Sequence, residues 1–72
     1  MEKIDFRLRA GETFIPLIAL LKAVNVVESG SVAQQVVTDG LVLRNGQPEW
    51  RKRAKIVSGD TIQFDRFVIN VL

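Results

Sequence analysis

The chain contains no Cys, no His and no Tyr. Without Cys it can form neither a disulfide framework nor a thiolate metal site. It also lacks the side chains that most often shuttle protons or act as activated nucleophiles near neutral pH. The three Ser residues have no base to activate them, and the eight carboxylates are not spaced as a catalytic pair or a metal loop. The sequence therefore predicts a protein that is not an enzyme and that binds no metal or cofactor.

Long hydrophobic runs are also missing. The longest, Phe14–Leu21, has eight residues and contains Pro16, so it is far too short to span a bilayer. The first residues alternate charged and apolar side chains and have no signal-peptide character. Small secreted domains usually carry disulfides, so the lack of Cys favours a reducing, cytoplasmic location. The length of 72 residues suits one domain, which we expect to cover residues 1–72.

Hydrophobic periodicity predicts that the chain begins with a strand and a helix. Ile4–Arg9 alternates apolar and charged residues, as a half-buried strand does. The helix is predicted to begin at an N-cap on Thr13, to hold Pro16 in its first turn and to end near Asn25. Its predicted buried stripe has helical spacing and consists of Phe14, Leu17, Ile18, Leu21 and Val24.

A second helix and a set of short strands are predicted to follow. Ser29 is predicted to cap this helix, with Ser31 as the alternative, and Gly40 is predicted to end it. Asn45-Gly46 then gives the strongest short signal for a β-hairpin. The predicted fold class is α+β, with two packed helices on a small, mostly antiparallel sheet. The later strands are predicted at Leu41–Arg44, Gln47–Trp50, Thr61–Phe64 and Phe67–Leu72.

Positive charge is concentrated after the predicted hairpin. Five of the ten Lys and Arg residues lie between Arg44 and Lys55 against one acid, so this window carries +4 and the remaining residues −2. A basic cluster beside an aromatic residue suits a phosphate backbone with exposed bases nearby. A solvated loop that only aids solubility is the alternative interpretation. The predicted phosphate-binding residues are Arg51, Lys52, Arg53 and Lys55, with Arg44 pointing to solvent on the same side.

Residues near this cluster leave alternatives open. Trp50 is interpreted either as a residue that stacks on a base or, as the only Trp of the chain, as part of the core. Arg7 and Arg9 share the outward face of the first strand and can extend the basic patch, unless Asp5 on that face neutralises them.

The two successive helices also invite comparison with a DNA-binding helix-turn-helix. That motif needs base-reading side chains on the exposed face of its second helix. Gly30–Asp39 contains no Lys or Arg and one acid, so the sequence argues against this interpretation.

Two segments resemble a known RNA-binding family. Ser29–Gly46 resembles, without gaps, the helix-plus-hairpin signature of the domain named after small-subunit ribosomal protein S-four, the alpha-L RNA-binding motif. That signature runs Ser, a basic residue, a variable pair, Ala and two apolar positions before Gly-x-Val-x-x-Asn-Gly. Val57–Ile62 resembles the same domain's Val-x-x-Gly-Asp-x-Ile turn and strand. Glu49–Val57 is similar to the corresponding run in small stand-alone bacterial members.

The resemblance implies binding to structured RNA, typically ribosomal or transfer RNA. We also expect a monomer, with the ribosome as a candidate partner. The sequence does not distinguish ribosome assembly, translation rescue and RNA modification as the setting. The RNA surface it implies combines the start of the second helix with the hairpin loop, at Ser29, Gly30, Ser31 and Asn45. Family members often carry Lys or Arg at positions that are not basic in this chain, namely Gly30, Gln34, Gln35 and Leu41. The loop from Arg51 to Lys55, helped by Arg44, must then supply most of the electrostatic attraction.

A protein-interaction module of a ribosome-associated or RNA-processing complex is the competing hypothesis. It predicts an exposed apolar surface that includes Leu41 and Trp50, and binding that tolerates salt. A DNA-binding role ranks third and predicts a preference for duplex DNA over folded RNA.

Overall fold

The computed structural model describes Met1–Leu72 and contains two helices and seven strands. The helices contact each other and lie on a small mixed sheet that is mostly antiparallel, which confirms the predicted α+β class. The elements follow in the order β1 (Glu2–Phe6), β2 (Ile15–Pro16), α1 (Leu17–Ala23), α2 (Gly30–Thr38), β3 (Val42–Arg44), β4 (Gln47–Pro48), β5 (Lys55–Ile56), β6 (Thr61–Phe64) and β7 (Phe67–Val71).

Five of the strands form one sheet, in the order β1-β7-β6-β3-β4. The β3–β4 and β6–β7 pairs are antiparallel hairpins, and β3 also pairs antiparallel with β6. β1 lies at one edge and runs parallel to β7, with Ile4 opposite Ile69. A parallel pair needs a long connection, and here the rest of the domain supplies it. β4 forms the other edge, so the chain leaves the sheet after β4 on the side opposite β1.

The predicted Asn45-Gly46 turn is present, and a second tight turn joins the strands that were predicted at Thr61–Phe64 and Phe67–Leu72. The backbone angles explain which residues occupy these turns. Asn45 and Gly46 have φ values of 51° and 85°, the paired positive angles that a two-residue turn needs to match strand twist. Asp65, in the β6–β7 turn, has a φ of 54°, which Asp tolerates better than most residues. The strands beside these turns begin and end within two residues of their predicted limits.

The predicted start of the first helix is wrong. α1 begins at Leu17, and Pro16 is its N-cap, with an extended ψ of 142° and no side-chain hydrogen bond to the helix. The preceding residues are drawn into a two-stranded sheet, in which Ile15 pairs with Ile56 of β5. Thr13 is therefore not a helix cap, because it lies four residues before α1 and ahead of β2.

The first strand ends earlier than predicted, at Phe6 instead of Arg9. Phe6 stands opposite Val71, the last residue of β7, and the amide of Leu72 closes the ladder by donating to the Phe6 carbonyl over 2.8 Å. No partner strand extends beyond that point. The predicted alternation still holds, because Leu8 packs against the core after the strand has ended.

One hydrophobic core lies between the helices and the sheet. The predicted stripe of α1 contacts this core except for Phe14, which precedes the helix and is 37% exposed. On α2, Val32 is also exposed, and Ser29 is confirmed as the N-cap because its hydroxyl accepts the Val32 amide. No helix is long and apolar enough to cross a membrane. The fully buried large side chains are Leu17, Leu20, Leu21, Val37, Val42, Ile56, Ile62 and Ile69.

Candidate nucleic-acid interface

The basic loop, defined here as Arg51–Lys55, is fixed to the N-terminus of α1 by its main chain. The Leu17 amide donates to the Ala54 carbonyl over 2.9 Å, and the Ile18 amide donates to the Lys52 carbonyl over 3.2 Å. The first amides of a helix have no partner inside the helix, and Pro16 offers no side-chain cap. Ala54 is 4% exposed and anchors the loop beside the core. The loop therefore has a defined position.

Four cations and the anchor share one depression on this surface. Its volume is about 370 Å³, and its lining residues are Arg44, Arg51, Arg53, Ala54 and Lys55. Lys55 Nζ lies 5.1 Å from the centroid of the Phe14 ring, a distance at which a cation and an aromatic face attract. Lys52 is exposed but does not line the depression. The concave basic surface has the size and charge to accept a phosphate group.

Arg44 does not point freely to solvent, and that prediction is wrong. Its Nη2 donates to the Lys55 carbonyl and to Asp60 Oδ2, each over 2.8 Å, and its Nη1 lies 3.4 Å from Glu49 Oε1. The side chain is only 22% exposed. Two carboxylates compensate its charge, so Arg44 holds Lys55 in place and adds little free positive charge.

Arg51 is exposed but paired. Its Nε and Nη2 donate to Glu49 over 3.2 Å each, and its backbone amide donates to the same carboxylate. The hydrogen bonds from the Arg51 side chain hold the pKa of Glu49 below its ordinary value of 4.5, although burial alone would raise it. The same pairing raises the pKa of Arg51. Lys52, Arg53 and Lys55 are then the loop cations without an ion-pair partner.

Asp60 joins this site although it lies outside the basic window. Burial alone would raise its pKa, but donated hydrogen bonds from the Val57 amide, Asn45 and Arg44 lower it below 3.8. The Asn45 side chain donates to Asp60 Oδ1 over 2.9 Å, and its oxygen accepts the Thr61 amide over 2.9 Å. Both ends of the Asn45 amide are thus engaged within the protein. The Gly59-Asp60 pair of the family signature was the sequence signal for this contact.

A groove leads from the basic loop to the start of α2. Its volume is about 300 Å³, and Lys22, Gly30, Gln34 and Arg53 are among its lining residues. The Ser29 hydroxyl accepts the Val32 amide over 3.3 Å and lies 3.1 Å from the Ser31 hydroxyl. Lys22 was not among the predicted site residues. Its position off the apolar stripe of α1 was the signal that it faces this surface.

Other predicted residues lie apart from the depression or outside the core. Arg7 and Arg9 line a separate hollow with Glu12, which accepts the Arg9 amide, so they do not extend the basic loop's depression. Trp50 is 62% exposed, so its interpretation as a core residue is wrong. The benzo edge of its indole lies against Gly40.

Comparison with known proteins yields one family and two close relatives. The family described as "S4 domain" matches residues 7–72. A protein of Escherichia coli (strain K12), named "Putative RNA-binding protein YbcJ", is 38% identical over 58 residues, which cover 81% of this chain and 83% of that protein. The "Uncharacterized protein YbcJ" of Shigella flexneri matches with the same identity and coverage. No solved structure matches the chain.

Proposed function

The chain belongs to the S4 domain family, and from that premise we propose that it binds structured RNA without catalysis. This membership confirms the resemblance drawn from the sequence. The observation that carries the proposal is the basic loop, where Lys52, Arg53 and Lys55 are exposed and unpaired on a backbone fixed to α1. Ribosomal or transfer RNA is the proposed partner, which would place the protein in the cytoplasm.

The proposed contacts are mainly to the RNA backbone. Lys and Arg attract phosphates whatever the base sequence, and this attraction dominates affinity for polyanions. Arg53 lines both the depression and the groove, so one RNA strand can follow both. Along that path it meets Lys22 and then the hydroxyls of Ser29 and Ser31 beside Gly30. Recognition of this kind depends on the shape of the folded RNA more than on its sequence.

The paired residues support the site by holding it in shape. Arg44 contacts the Lys55 carbonyl, and Asn45 braces Asp60, so both act through the position of the basic loop. Arg51 has a free outer face, since its side chain is 73% exposed, but a phosphate must share it with Glu49. We therefore assign direct phosphate contact to Lys52, Arg53 and Lys55, and a weaker contact to Arg51.

A protein-interaction module is the second candidate, and one observation favours it. Leu41 and Trp50 are 55% and 62% exposed, as that hypothesis predicts. Exposed large apolar side chains that lie together often mark binding surfaces. The two candidates differ in salt dependence, because apolar docking is insensitive to salt and phosphate binding is not.

The test is the salt dependence of binding to a folded transfer RNA transcript and to a ribosomal RNA hairpin. The variant Lys52→Gln, Arg53→Gln, Lys55→Gln removes the three unpaired loop cations. Each phosphate contact contributes about 0.7 to 0.9 to the log–log slope, so the slope should fall by about 2 to 3. Adding Arg51→Gln should lower it by less than one further contact, because Glu49 already competes for that guanidinium.

A matched control removes three exposed cations that have no ion-pair partner and lie on or just after the edge strand β1, as Lys3→Gln, Arg7→Gln, Arg9→Gln. Its slope should stay near that of the wild type, because these residues belong neither to the basic loop nor to the lining of the depression or the groove. Equal slopes for the two triple variants would remove the basic loop from the proposal. Failure to bind either RNA at low salt would reject RNA binding and favour the second candidate.

A further inference from the structure

Trp50 lies against the backbone of Gly40 although it is largely exposed. A Cβ added to Gly40 would lie 2.5 Å from Cη2 and 2.9 Å from Cζ3 of Trp50. The edge of the indole therefore rests directly on the glycine backbone. The exposed fraction of the side chain is 62%, and the chain has only five aromatic residues. A small domain with so few aromatics gains stability by burying them, which makes an exposed Trp in a fixed place unusual.

The backbone on both sides of Trp50 is also fixed. The Glu49 amide donates to the Val42 carbonyl over 2.9 Å, which continues the hairpin ladder up to the residue before Trp50. The carboxylate of Glu49 then accepts the Arg51 amide over 3.2 Å, which bridges across Trp50. The backbone that carries the indole is therefore fixed, which lowers the ordering cost for a ligand that stacks on it.

We propose that Trp50 is a stacking platform for an unpaired base whose neighbouring phosphates lie on the basic loop. This inference rests on the proposed function and deepens it. It specifies the RNA as one with a nucleotide outside a helix, such as a bulge or a loop. Bases stack on aromatic faces whatever their identity, and unpaired positions are where proteins reach bases in folded RNA.

The charge around Trp50 favours a nucleotide over an apolar protein surface. Arg51, Lys52 and Arg53 follow the indole directly in the chain, and all three are exposed. An apolar partner that covered Trp50 would have to desolvate the adjacent cations without pairing them, which costs free energy. In a nucleic acid, every internal nucleotide has a phosphate on each side of its sugar. An exposed aromatic face with cations beside it matches that arrangement.

The experiment uses three RNA hairpins that share one stem. The first has a single bulged adenosine, the second has an abasic site at the bulge, and the third is fully paired. Trp50 is the only Trp, so its intrinsic fluorescence reports stacking directly. The wild type should bind the bulged hairpin about 5- to 150-fold more tightly than the abasic one, with quenching of fluorescence by the bulged adenosine alone.

Variants of Trp50 test the same point from the protein side. W50A should bind all three hairpins with equal affinity and keep the salt dependence of the wild type. W50F should retain part of the preference for the bulged adenosine. Trp50 lies outside the core, so both variants are expected to fold. The comparison of the three hairpins uses the wild type alone, so it tests the proposal even if a variant failed to fold.

If the wild type bound the bulged and abasic hairpins with equal affinity and without quenching, the stacking proposal would be overturned. The proposed function would still stand if that binding depended on salt. Lack of binding to all three hairpins at low salt would overturn both proposals.

Discussion

The side-chain nitrogen of Asn45 donates to Asp60 Oδ1 over 2.9 Å, joining residues 15 positions apart. The Asn45 oxygen and backbone amide bond Thr61 in turn, over 2.9 and 2.8 Å. The Asn-Gly turn and the Gly-Asp turn of the family signature are therefore parts of one structure. The basic loop lies between them in the chain, and Arg44 ties that structure to Lys55. The spacing of the two turns in the sequence therefore allows them to form the structure that holds the basic loop in position.

The first prediction concerns Asp60. Asp60→Asn should lower the free energy of unfolding by about 1 to 3 kcal/mol, because it removes a charge that three donors satisfy and leaves Arg44 poorly compensated. Urea denaturation measures the effect. Asp65→Asn is the matched control, because Asp65 is exposed, forms no ion pair and has a positive φ that Asn tolerates. Equal urea midpoints for the two variants would contradict this role.

The second prediction is that stability falls in acid. The pKa values of Glu49 and Asp60 lie below their ordinary values of 4.5 and 3.8. The unfolded chain therefore takes up protons first as the pH falls through those ordinary values, which favours unfolding. The stabilisation from these carboxylates is fully present above that range and is lost once the pH is below their pKa values in the folded protein. Urea midpoints between pH 7 and pH 3 measure this loss.

The variant Glu49→Gln isolates the contribution of Glu49 to the loss of stability in acid. This variant should be less stable at pH 7, and its urea midpoint should fall less steeply with acid than that of the wild type. Glu28→Gln changes an exposed carboxylate without an ion pair and serves as the control. A pH profile for Glu49→Gln as steep as that of the control would exclude Glu49 as a source of the acid sensitivity.

The third prediction concerns the contact between Gly40 and Trp50. Gly40 and Gly46 both have positive φ, at 74° and 85°, so Ala at either position should cost about 1 to 2 kcal/mol of backbone strain. The Cβ that Ala would add at Gly40 lies 2.5 Å from the Trp50 ring, whereas the Cβ added at Gly46 has no neighbour within 4 Å. Gly40→Ala should therefore destabilise more, and should also shift the fluorescence of Trp50, whereas Gly46→Ala should leave the spectrum unchanged.

A double-mutant cycle separates the two costs. In a Trp50→Ala background, Gly40→Ala and Gly46→Ala should lower the free energy of unfolding by similar amounts, because only the backbone strain is left. If the excess cost of Gly40→Ala persisted without the indole, the contact with Trp50 would not be its source.

Features set by neighbouring residues were predictable from the sequence. The Asn45-Gly46 turn, the Ser29 cap and the β6–β7 hairpin depend on local backbone chemistry, and the sequence predicted all three. The start of α1 was not predictable in this way. Its cap is the carbonyl of Ala54 in a distant segment, and no local signal at Thr13 or Pro16 reveals that partner.

In the candidate site, too, the features set by neighbouring residues were predictable and those set by distant residues were not. The sequence located the basic loop and the exposure of Lys52, Arg53 and Lys55. It misplaced Arg44, because the carboxylate that draws Arg44 inward, Asp60, comes from a later turn. Counting charge within a window of sequence missed this compensation, which depends on how β3 and β6 pair.

The basic loop meets α1 through carbonyl oxygens, and any amino acid possesses that group. The side chains at positions 52, 53 and 55 therefore take no part in these hydrogen bonds, whereas Ala54 is constrained by its burial. Substitutions at these positions can therefore change what the loop binds while its main-chain attachment stays the same. Exchanging the three outward residues would direct the protein toward a different target without changes elsewhere in the fold.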